Sequence, residues 1–530
     1  DKDDVEAAGL VKFDFLGLRT LTIIDRAIRA INAERLLTGE APMVVPALQM
    51  DDQATFRLLR ACKTTAVFQL ESRGMRDLVR RLQPDSFDDL VALVALYRPG
   101  PLQSGMVDDF INRKHGGRDQ PIDYLHPDLE PVLRSTYGVI LYQEQVMQIA
   151  QRLAGYSLGE ADLLRRAMGK KKAEEMAKQR SIFTDRAAAR GTERSRATYI
   201  FDLMEKFAGY GFNKSHSAAY AVLTYQTAWL KANHPAAFMA AVMTTEMGDT
   251  DALIVQQREC RVLDLSVLPP DVNSSGYAFQ AGDTRRIRYG LGAVKGIGRS
   301  AALHIVAIRE EGGPFKSLAE FCLRAGGQKL GRRPVEALIK AGAFDAFGPN
   351  RPSLLAVLPT AMDGAEQAAA AASVGQEDLF GAPAARSGLD DPVPEIQDWG
   401  WGRKLEAERE SLGLYLSGHP FDQYRTDQPF ISTSCIEALI AERPPSSGDF
   451  RGGGREVLIA GVVASVRRRG TRTSIELDDG TGTLEVGFFQ EGYDRFRHLL
   501  GVHSIVAISG MLRFEEYLDG WRLNAKDVLD

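Results

Sequence analysis

The hydrophobic periodicity of this chain changes at a glycine-rich run, residues 452–454, and that change constrains the fold more than any other feature. Upstream, apolar residues recur mainly at helical spacing, whereas downstream short segments alternate apolar and polar residues, as half-buried strands do. A helix-like insert at 493–500 interrupts five predicted strands, at residues 457–466, 473–477, 483–489, 504–512 and 521–528. This order predicts a small Greek-key β-barrel of the OB type at the end of the chain.

The first half of the chain is predicted to be mostly helical. Strict alternation over residues 11–15 predicts a short strand, after which Leu21, Ile24, Ile28 and Ile31 recur at helical spacing. Between Gly and Pro punctuation, further helices are predicted at residues 87–97, 140–153, 159–168, 173–190, 195–207 and 218–232.

The chain is expected to contain several domains, because 530 residues exceed what one hydrophobic core usually supports. Pro269 and Pro270 mark a boundary, and short helices around residues 296–298 and 334–347 predict a small helical module. A helix is also predicted near residues 403–412. We therefore predict a multidomain α+β fold with boundaries at 1–18, 19–268, 269–385, 386–450 and 451–530.

The composition excludes several classes of protein. Hydrophobic residues make up 44% and charged residues 25% of the chain, which argues against disorder, a fibre or a disulfide scaffold. No run of about 18 uncharged apolar residues occurs, so no membrane span is expected. The four cysteines form no CxxC pair, which predicts reduced thiols in a cytoplasmic protein. The chain starts at Asp1 without a signal peptide, so we expect it to be part of a longer protein.

The net charge of −5 hides two basic segments. Residues 152–214 contain 14 basic and 8 acidic residues, and residues 285–340 contain 12 and 4. Residues 363–410, with 4 basic and 11 acidic residues, are predicted to be a solvated connector. Local charge of this kind indicates where a polyanion binds better than the whole-chain value does.

The strongest local signal is the basic run Leu-Leu-Arg-Arg-Ala-Met-Gly-Lys-Lys-Lys at residues 163–172. On a continuous helix, Arg166 and Lys170 lie four residues apart on one face, with Arg165 beside them. Guanidinium and ammonium groups suit triphosphate oxygens. A solvated basic helix end is the alternative, and charge alone does not separate the two.

Residues 209–217, Gly-Tyr-Gly-Phe-Asn-Lys-Ser-His-Ser, place a turn, two aromatic rings and a cation before an apolar helix. Ser215 as a simple helix cap is the alternative, and His216 lacks an identifiable acid for a hydrolytic triad. The turn that presents Arg98 and the polar helix opening at residues 142–145 are ambiguous by themselves.

Lys12 and Asp14 project from one side of the predicted strand at residues 11–15. A single carboxylate does not hold two metal ions, because such sites need several oxygen ligands. On spacing alone, an exposed strand face is therefore the better interpretation of these two residues.

Two further segments have features of nucleic-acid contacts. A Gly-Ile-Gly turn before an apolar helix suits a phosphate at a helix N-terminus, and cations flank it; the residues are Lys295, Gly296, Gly298 and Arg299. At a predicted strand turn, a cluster of arginines suits a single-stranded backbone, with a solvated hairpin tip as the alternative; these are Arg467, Arg468, Arg469 and Arg472.

Taken together and in this order, six motifs resemble those of the bacterial replicative DNA polymerase III alpha subunits, which are family C DNA polymerases. They are Lys-Phe-Asp-Phe-Leu-Gly-Leu at 12–18, Phe-Gln-Leu-Glu-Ser at 68–72, Arg-Pro-Gly-Pro at 98–101, Leu-Tyr-Gln-Glu-Gln at 141–145, the basic run at 165–172 and Gly-Phe-Asn-Lys-Ser-His-Ser at 211–217. The resemblance spans nearly the whole chain. It implies that residues 1–18 end a palm domain and that residues 19–268 form the fingers.

The resemblance implies that Asp14 is one of three palm aspartates that bind two catalytic Mg²⁺ ions, with Lys12 beside the nucleotide. The other two aspartates would lie upstream of Asp1, and the tail that binds the clamp-loader subunit tau would lie beyond the barrel. The fingers residues implied near the incoming nucleotide are Arg98, Gln143, Gln145, Arg165, Arg166, Lys170, Lys171, Asn213, Lys214, Ser215 and His216. Among these, Arg165 and Arg166 resemble triphosphate contacts, and Ser215 with His216 resembles the wall that disfavours ribonucleotides.

The same family implies the partners. The turn at residues 296–298 resembles a helix-hairpin-helix that grips duplex DNA, and Gln376, Leu379 and Phe380 match the short motif that docks on the β sliding clamp. The clamp motif favours the replicative enzyme over its error-prone paralogue, which typically lacks it. The expected partners are primer-template DNA, dNTPs and the clamp. For the full-length protein, the exonuclease epsilon and the clamp-loader tau are also expected.

The function implied is template-directed DNA synthesis by metal-assisted phosphoryl transfer to a primer 3′-hydroxyl. Two alternatives stay open. One is a DNA- and clamp-binding piece without catalytic activity, since two of the three catalytic aspartates are expected outside this sequence. The other is the error-prone paralogue.

Overall fold

The computed structural model describes residues 2–13, 15–45, 48–116, 122–170, 173–208, 211–325, 330–374, 393–441, 454–470, 472–515 and 520–529. The chain divides into two compact units. The first comprises Asp1–Ser266 and Phe279–Ile287, and the second comprises Val267–Ala278 and Arg288–Asp530.

The first unit is helical, as predicted. Its helices are α1 (Lys2–Ala7), α2 (Arg19–Leu37), α3 (Gln53–Arg60), α4 (Arg73–Leu82), α5 (Phe87–Leu96), α6 (Pro99–Gln103), α7 (Met106–Gly116), α8 (Glu130–Leu133), α9 (Gln143–Ala154), α10 (Leu158–Lys170), α11 (Ala173–Ala189), α12 (Arg194–Ala208), α13 (Lys214–Asn233), α14 (Pro235–Glu246) and α15 (Thr250–Val262). Short 3₁₀ turns at Pro127–Leu129 and Arg134–Thr136 flank α8. The short strands β1 (Ser266–Leu268), β2 (Gln280–Ala281) and β3 (Arg286–Arg288) lie where the chain passes from one unit to the other.

The prediction of a strand at residues 11–15 is wrong for the described part of this segment. Residues 11–13 and 15–18 have no regular secondary structure. Val11 is 73%, Phe13 73% and Phe15 95% exposed. An alternating pattern only becomes a strand when a neighbouring strand accepts its hydrogen bonds, and the described residues provide none here.

The long helix α13 organises the core of the first unit. The ring of Tyr225 lies 5.9 Å from that of Phe56 and 6.4 Å from that of Phe87, measured between centroids. Its hydroxyl donates to the carbonyl of Gln49 at 2.8 Å and accepts from the amide of Asp52 at 2.9 Å. The buried Tyr225 hydroxyl thus has a partner both as donor and as acceptor. Together with the ring contacts, these hydrogen bonds fix α13 against α3 and α5.

A buried lysine lies near the C-terminal end of α13. Lys231 is 1% exposed, and its ammonium donates to the carbonyls of Lys63 at 2.8 Å and Thr65 at 2.7 Å and to Glu259 Oε1 at 2.6 Å. Three acceptors compensate the loss of water around the charge. This contact holds the loop that precedes the Phe-Gln-Leu-Glu-Ser motif.

The second unit carries a helical module and a barrel. Its helices are α16 (Arg299–Gly312), α17 (Leu318–Ala325), α18 (Arg332–Lys340), α19 (Arg351–Val374), α20 (Trp401–Leu412), α21 (Gln428–Ile431), α22 (Ile436–Ala441) and α23 (Gln490–Phe496). Short 3₁₀ turns occur at Leu291–Ala293, Asp345–Phe347 and Pro420–Tyr424. The predicted helix-turn unit at 334–347 and the helix near 403–412 are both present.

The five predicted strands form a closed barrel in the order β4-β5-β6-β8-β7. Their bounds are β4 (Arg455–Arg469), β5 (Arg472–Asp478), β6 (Thr483–Phe489), β7 (Ile505–Glu515) and β8 (Gly520–Leu529). All pairings are antiparallel except that of β6 with β8, which is parallel. Alternate residues such as Ile475 and Leu477 fill the interior, as the period of two predicts.

Three findings on the described residues concern membrane spans, cysteines and metal ligands. Among the described helices, none combines the length and apolar character that crossing a bilayer requires. All four cysteines are free; Cys260 and Cys322 are buried, whereas Cys62 and Cys435 are partly buried. Within the described ranges, no group of three or more His, Cys, Asp or Glu side chains is arranged to hold a metal ion.

Candidate functional site

Two predicted motifs of the first unit, residues 141–145 and 211–217, meet at the N-termini of α9 and α13. Tyr142 and Phe212 form an isolated parallel β-bridge. The amide of Gln143 donates to the carbonyl of Phe212 at 2.9 Å, and the amide of Phe212 donates to the carbonyl of Leu141 at 3.3 Å. The N-termini of the two helices therefore lie beside one another.

The two glutamines of the Leu-Tyr-Gln-Glu-Gln motif differ in environment. Gln145 is 3% exposed; its Oε1 accepts from the amides of Leu141 and Tyr142 at 2.8 and 2.9 Å, and its Nε2 donates to Thr136 Oγ1 at 2.8 Å. Gln143 is partly exposed and its Nε2 donates to the carbonyl of Gly211 at 3.0 Å. The structure thus places Gln145 in the core, where it shapes the loop, and Gln143 at the surface of the site.

Asn213, rather than Ser215, caps α13. Its Oδ1 accepts from the amide of His216 at 2.7 Å, and its Nδ2 donates to Glu144 Oε1 at 2.9 Å. Glu144 also accepts from the amide of Lys214 at 2.9 Å. The side chain of Ser215 is therefore not used as the cap and lies exposed beside His216.

A row of contacting side chains crosses this site; we call it the aromatic row and define it as Arg98, Phe212, His216, Tyr220 and Phe68. The guanidinium of Arg98 lies 4.0 Å from the centroid of Phe212, which meets His216 edge-on at 5.2 Å. His216 stacks on Tyr220 at 4.4 Å, and Tyr220 lies 5.5 Å from Phe68. The row joins residues of three separate motifs and fixes the orientation of the His216 ring.

One carboxylate holds both arginines of the basic run. Arg165 reaches Asp162 Oδ1 through Nε at 2.9 Å and Nη2 at 2.8 Å, and its Nη1 donates to Gln143 Oε1 at 3.3 Å. The Nε of Arg166 lies 2.8 Å from Asp162 Oδ2. Hydrogen bonding from Arg165, and the charges of both arginines, lower the pKa of Asp162. The cations are thus aligned beside Gln143 at the opening of the site.

Several predicted residues fall outside the described part of the chain. These are Asp14, Lys171, Gln376, Leu379 and Phe380, together with the side chains of Lys170 and Arg469. Lys170 ends α10 and Arg469 ends β4. Lys12 lies in the irregular segment before α2 and is exposed.

In the second unit, the predicted Gly-Ile-Gly turn leads into α16. Gly296 has φ of +85°, which a residue with a side chain adopts only with strain, and Gly298 is the N-cap of α16. No atom lies within 4 Å of a Cβ placed on either glycine, so the outer side of the turn is open to a ligand backbone. Arg299 lies over the ring of Tyr277 at 5.5 Å, and Lys295 hydrogen bonds to α20.

On the barrel, one of the predicted arginines, Arg472, borders a cavity of about 350 Å³. Arg467 and Arg468 pair with Ser474 and Thr473 across β4 and β5, and Arg468 lies 4.7 Å over Tyr493. Arg472 pairs with Phe489, which is 72% exposed. The cavity is also lined by Arg513, Arg522 and Asn524. Cations beside an exposed ring are the features that bind single-stranded nucleic acid.

Sequence reasoning missed several of these residues. Asp162 precedes Arg165 and Arg166 by three and four positions, a helical spacing that predicts ion pairs. Arg513 and Arg522 are directly opposite in the β7 and β8 register. That pairing depends on the strand register of the barrel, for which the sequence gives no local signal.

Comparisons with known proteins identify related families along the chain. Three family models match: the bacterial DNA polymerase III alpha subunit finger domain over residues 20–191, a helix-hairpin-helix motif over 264–354 and an OB-fold nucleic acid binding domain over 457–529. Among solved structures, asparaginyl-tRNA synthetase from Pyrococcus horikoshii covers 14% of this chain and 19% of its own at 23% identity, with a TM-score of 0.14 that supports no argument.

Longer relatives show the same relationship. The DNA polymerase III alpha subunits of Escherichia coli K12 and Vibrio cholerae are each 49% identical to this chain, and that of Pseudomonas aeruginosa is 47% identical. Each alignment covers 100% of this chain and 46% of the relative, so the chain spans about half the length of these proteins. The fingers, hairpin and barrel occur in the predicted order, and the chain belongs to the bacterial DNA polymerase III alpha subunit family.

Proposed function

We propose that this chain supplies the fingers, the duplex grip and the single-strand-binding barrel of a bacterial replicative DNA polymerase. The observation that carries the proposal is the convergence of Arg98, Gln143, Arg165 and His216 on the paired N-termini of α9 and α13. Guanidinium groups held close together suit the oxygens of a triphosphate, because each forms bidentate charge-assisted hydrogen bonds.

The reaction proposed is nucleotidyl transfer. The primer 3′-oxygen attacks the α-phosphorus of a dNTP, the bond to the β-phosphate breaks, and pyrophosphate leaves. Arg165, Arg166 and Lys214, with Lys170 and Lys171, are proposed to neutralise the charge that develops on the leaving group, since fixed cations stabilise such charge without reorganisation. Asn213 and Gln143 shape the loop that carries these groups.

The sugar of the nucleotide is proposed to contact Ser215 and His216. His216 is held on one face by Tyr220 and at its edge by Phe212, so its ring is a fixed wall. A fixed wall discriminates against an additional 2′-hydroxyl better than a mobile side chain does.

The metal ions remain a proposal from the resemblance. Asp14 is proposed as one ligand of two Mg²⁺ ions, with Lys12 beside the nucleotide. A two-metal site needs several oxygen ligands, so further carboxylates beside Asp14 are needed to complete it.

Primer extension tests the proposal. Mg²⁺-dependent addition to a labelled primer-template should require a protein that spans the length of the relatives, and Asp14→Ala in that protein should abolish addition while primer-template binding stays within about twofold. Normal extension by the Asp14→Ala protein would overturn the assignment.

A non-catalytic DNA- and clamp-binding role of this chain by itself is the second candidate, supported by the open Gly-Ile-Gly turn and by the arginines that line the barrel cavity. Gln376, Leu379 and Phe380 are proposed to bind the β sliding clamp. Replacement of Leu379 and Phe380 by alanine should abolish clamp binding in a pull-down with purified clamp; unchanged binding would favour the error-prone paralogue. The proposed location of the protein is the cytoplasm, where the clamp, epsilon and tau would be its partners.

A further inference from the structure

The hairpin turn of the second unit caps the C-terminus of α20. The amide of Lys295 donates to the carbonyl of Ser411 at 2.8 Å, and its ammonium lies 3.4 Å from the carbonyl of Arg409. The hydroxyl of Tyr289 lies 3.5 Å from the carbonyl of Leu412. The last carbonyls of a helix lack partners within it and carry partial negative charge, so these contacts fix α20 to the hairpin.

A buried carboxylate on α20 fixes the segment of chain immediately after the helix. Glu408 is 1% exposed; its Oε2 accepts from the amides of Leu416 and Ser417 at 3.0 and 2.8 Å, and its Oε1 accepts from the Ser417 hydroxyl. The Nη1 of buried Arg351, at the start of α19, lies 3.5 Å from Oε1. A buried ion pair adds little net stability, but removal of one member is costly and the geometry is strict.

The segment after α20 is fixed to the barrel in turn. His419 Nε2 lies 3.5 Å from Asp478 Oδ1, and Arg425 Nη2 donates to the carbonyl of Asp479 at 2.9 Å. Asp479 is 0% exposed and its Oδ2 accepts from the amide of Ile436 at 2.8 Å. These contacts join both sides of the turn at Asp479, between β5 and β6, to the chain between α20 and α22.

Residues 401–436 connect the hairpin to the barrel, and we call this segment the strut. We propose that the strut makes the hairpin and the barrel one composite site for the junction between duplex and single-stranded DNA. Glu408 is the positioning residue that holds the strut in its conformation. The inference rests on the proposed function, in which the hairpin binds duplex and the barrel binds single strands. Two modules on a fixed spacer bind one ligand far more tightly than either does, because the second contact is intramolecular. A loosened spacer loses that advantage while each module keeps its own affinity.

The experiment uses this chain and three labelled DNAs in fluorescence anisotropy at one salt concentration: a duplex, a single strand, and a duplex with a recessed 3′-end and a single-stranded template overhang. The unchanged chain should bind the junction at least about tenfold more tightly than the better of the other two. Glu408→Ala should remove most of that advantage and leave duplex and single-strand affinities within about twofold. Glu406→Ala is the matched control, because Glu406 is an exposed residue of α20 that pairs only locally, with Arg403 at 3.1 Å, and it should change nothing.

Arg425→Ala is the second variant, since it breaks the strut at the barrel end without emptying a buried position and should reduce the junction advantage even if Glu408→Ala does not fold. A parallel loss of affinity for all three DNAs in both variants would overturn the inference, because it would show a general structural role. An unchanged chain that binds duplex and single strand but gains nothing at a junction would overturn it too, while sparing the DNA-binding proposal. Absence of binding to all three DNAs would overturn both.

Discussion

Each oxygen of the Asp162 carboxylate holds a different arginine: Oδ1 binds Arg165 and Oδ2 binds Arg166. The guanidinium edge that a phosphate would use on Arg165 is thus occupied by a carboxylate of the same helix. Asp162 aligns the two cations before a ligand arrives, and it also competes with that ligand for them.

If Asp162 competes with a phosphate for the two arginines, Asp162→Asn should strengthen binding of inorganic tripolyphosphate to this chain by about two- to fivefold. The substitution frees both guanidinium groups, and the effect is modest because exposed ion pairs are weak. Isothermal titration calorimetry measures this. Glu160→Gln is the control, since Glu160 lies on the same helix and pairs instead with Arg186 at 3.1 Å. Weaker binding by Asp162→Asn would show that alignment matters more than competition.

The aromatic row predicts an effect on sugar selectivity in the complete polymerase. Tyr220→Leu removes the stack that orients His216, and such a pair contributes about 0.5–1.5 kcal/mol. We expect the ratio of kcat/KM for deoxynucleotides over ribonucleotides to fall about three- to tenfold while kcat/KM for deoxynucleotides changes little. Tyr199→Leu, at an exposed position of α12, should leave the ratio unchanged. An equal loss for both sugars would contradict the role of the row.

We expect replacement of the buried Lys231 to have a large effect on stability. Burial lowers the pKa of its ammonium, and Glu259 opposes that shift. Lys231→Ala leaves Glu259 without its partner and should reduce the free energy of unfolding of the first unit by about 3–5 kcal/mol, measured by urea denaturation. The double variant Lys231→Met with Glu259→Gln should recover part of the loss. A double variant less stable than Lys231→Ala would contradict this account.

His234 predicts a pH dependence. Burial and the charge of Arg35 lower its pKa below the ordinary 6.5. Because the unfolded state then takes up the proton first, stability is lost as pH falls through 6.5 and is unaffected well above it. Urea denaturation at pH 7.5 and 5.5 should show a smaller loss on acidification for His234→Gln than for the unchanged chain. Equal losses would show that His234 does not titrate differently on folding.

The close approach of two strands at Gly510 leaves no room for a side chain within the barrel. A Cβ at this position would lie 2.2 Å from the carbonyl oxygen of Asn524, on the neighbouring strand β8, where the register of β7 and β8 shifts. Gly510→Ala should lower the stability of the barrel by about 1–3 kcal/mol in thermal denaturation. Gly492→Ala, in α23, meets no atom within 4 Å and should be neutral or stabilising. A neutral Gly510→Ala would mean that the two strands separate easily.

Much of the fold follows from local periodicity. The predicted strand at 483–489 has the bounds of β6, and the helix predicted at 218–232 lies within α13, which starts at Lys214 because Asn213 caps it. The strand predicted at 11–15 fails because strand formation needs a partner. In the proposed site, sequence reasoning singled out Arg165 and His216 but not Asp162 or Tyr220, which contact them.

The sequence by itself determined the order of the domains, the position of most helices and strands, and the family, because these depend on hydrophobic periodicity and on motifs that are contiguous in the chain. Only the tertiary structure decided which groups meet. Gln145 and Gln143 are two residues apart, yet one is core and one is surface. Glu408 looks like an ordinary acidic residue of a charged helix, and it becomes a buried anchor only because Arg351 and Ser417 close around it. Burial and long-range contact depend on packing between distant segments, and no local pattern encodes them.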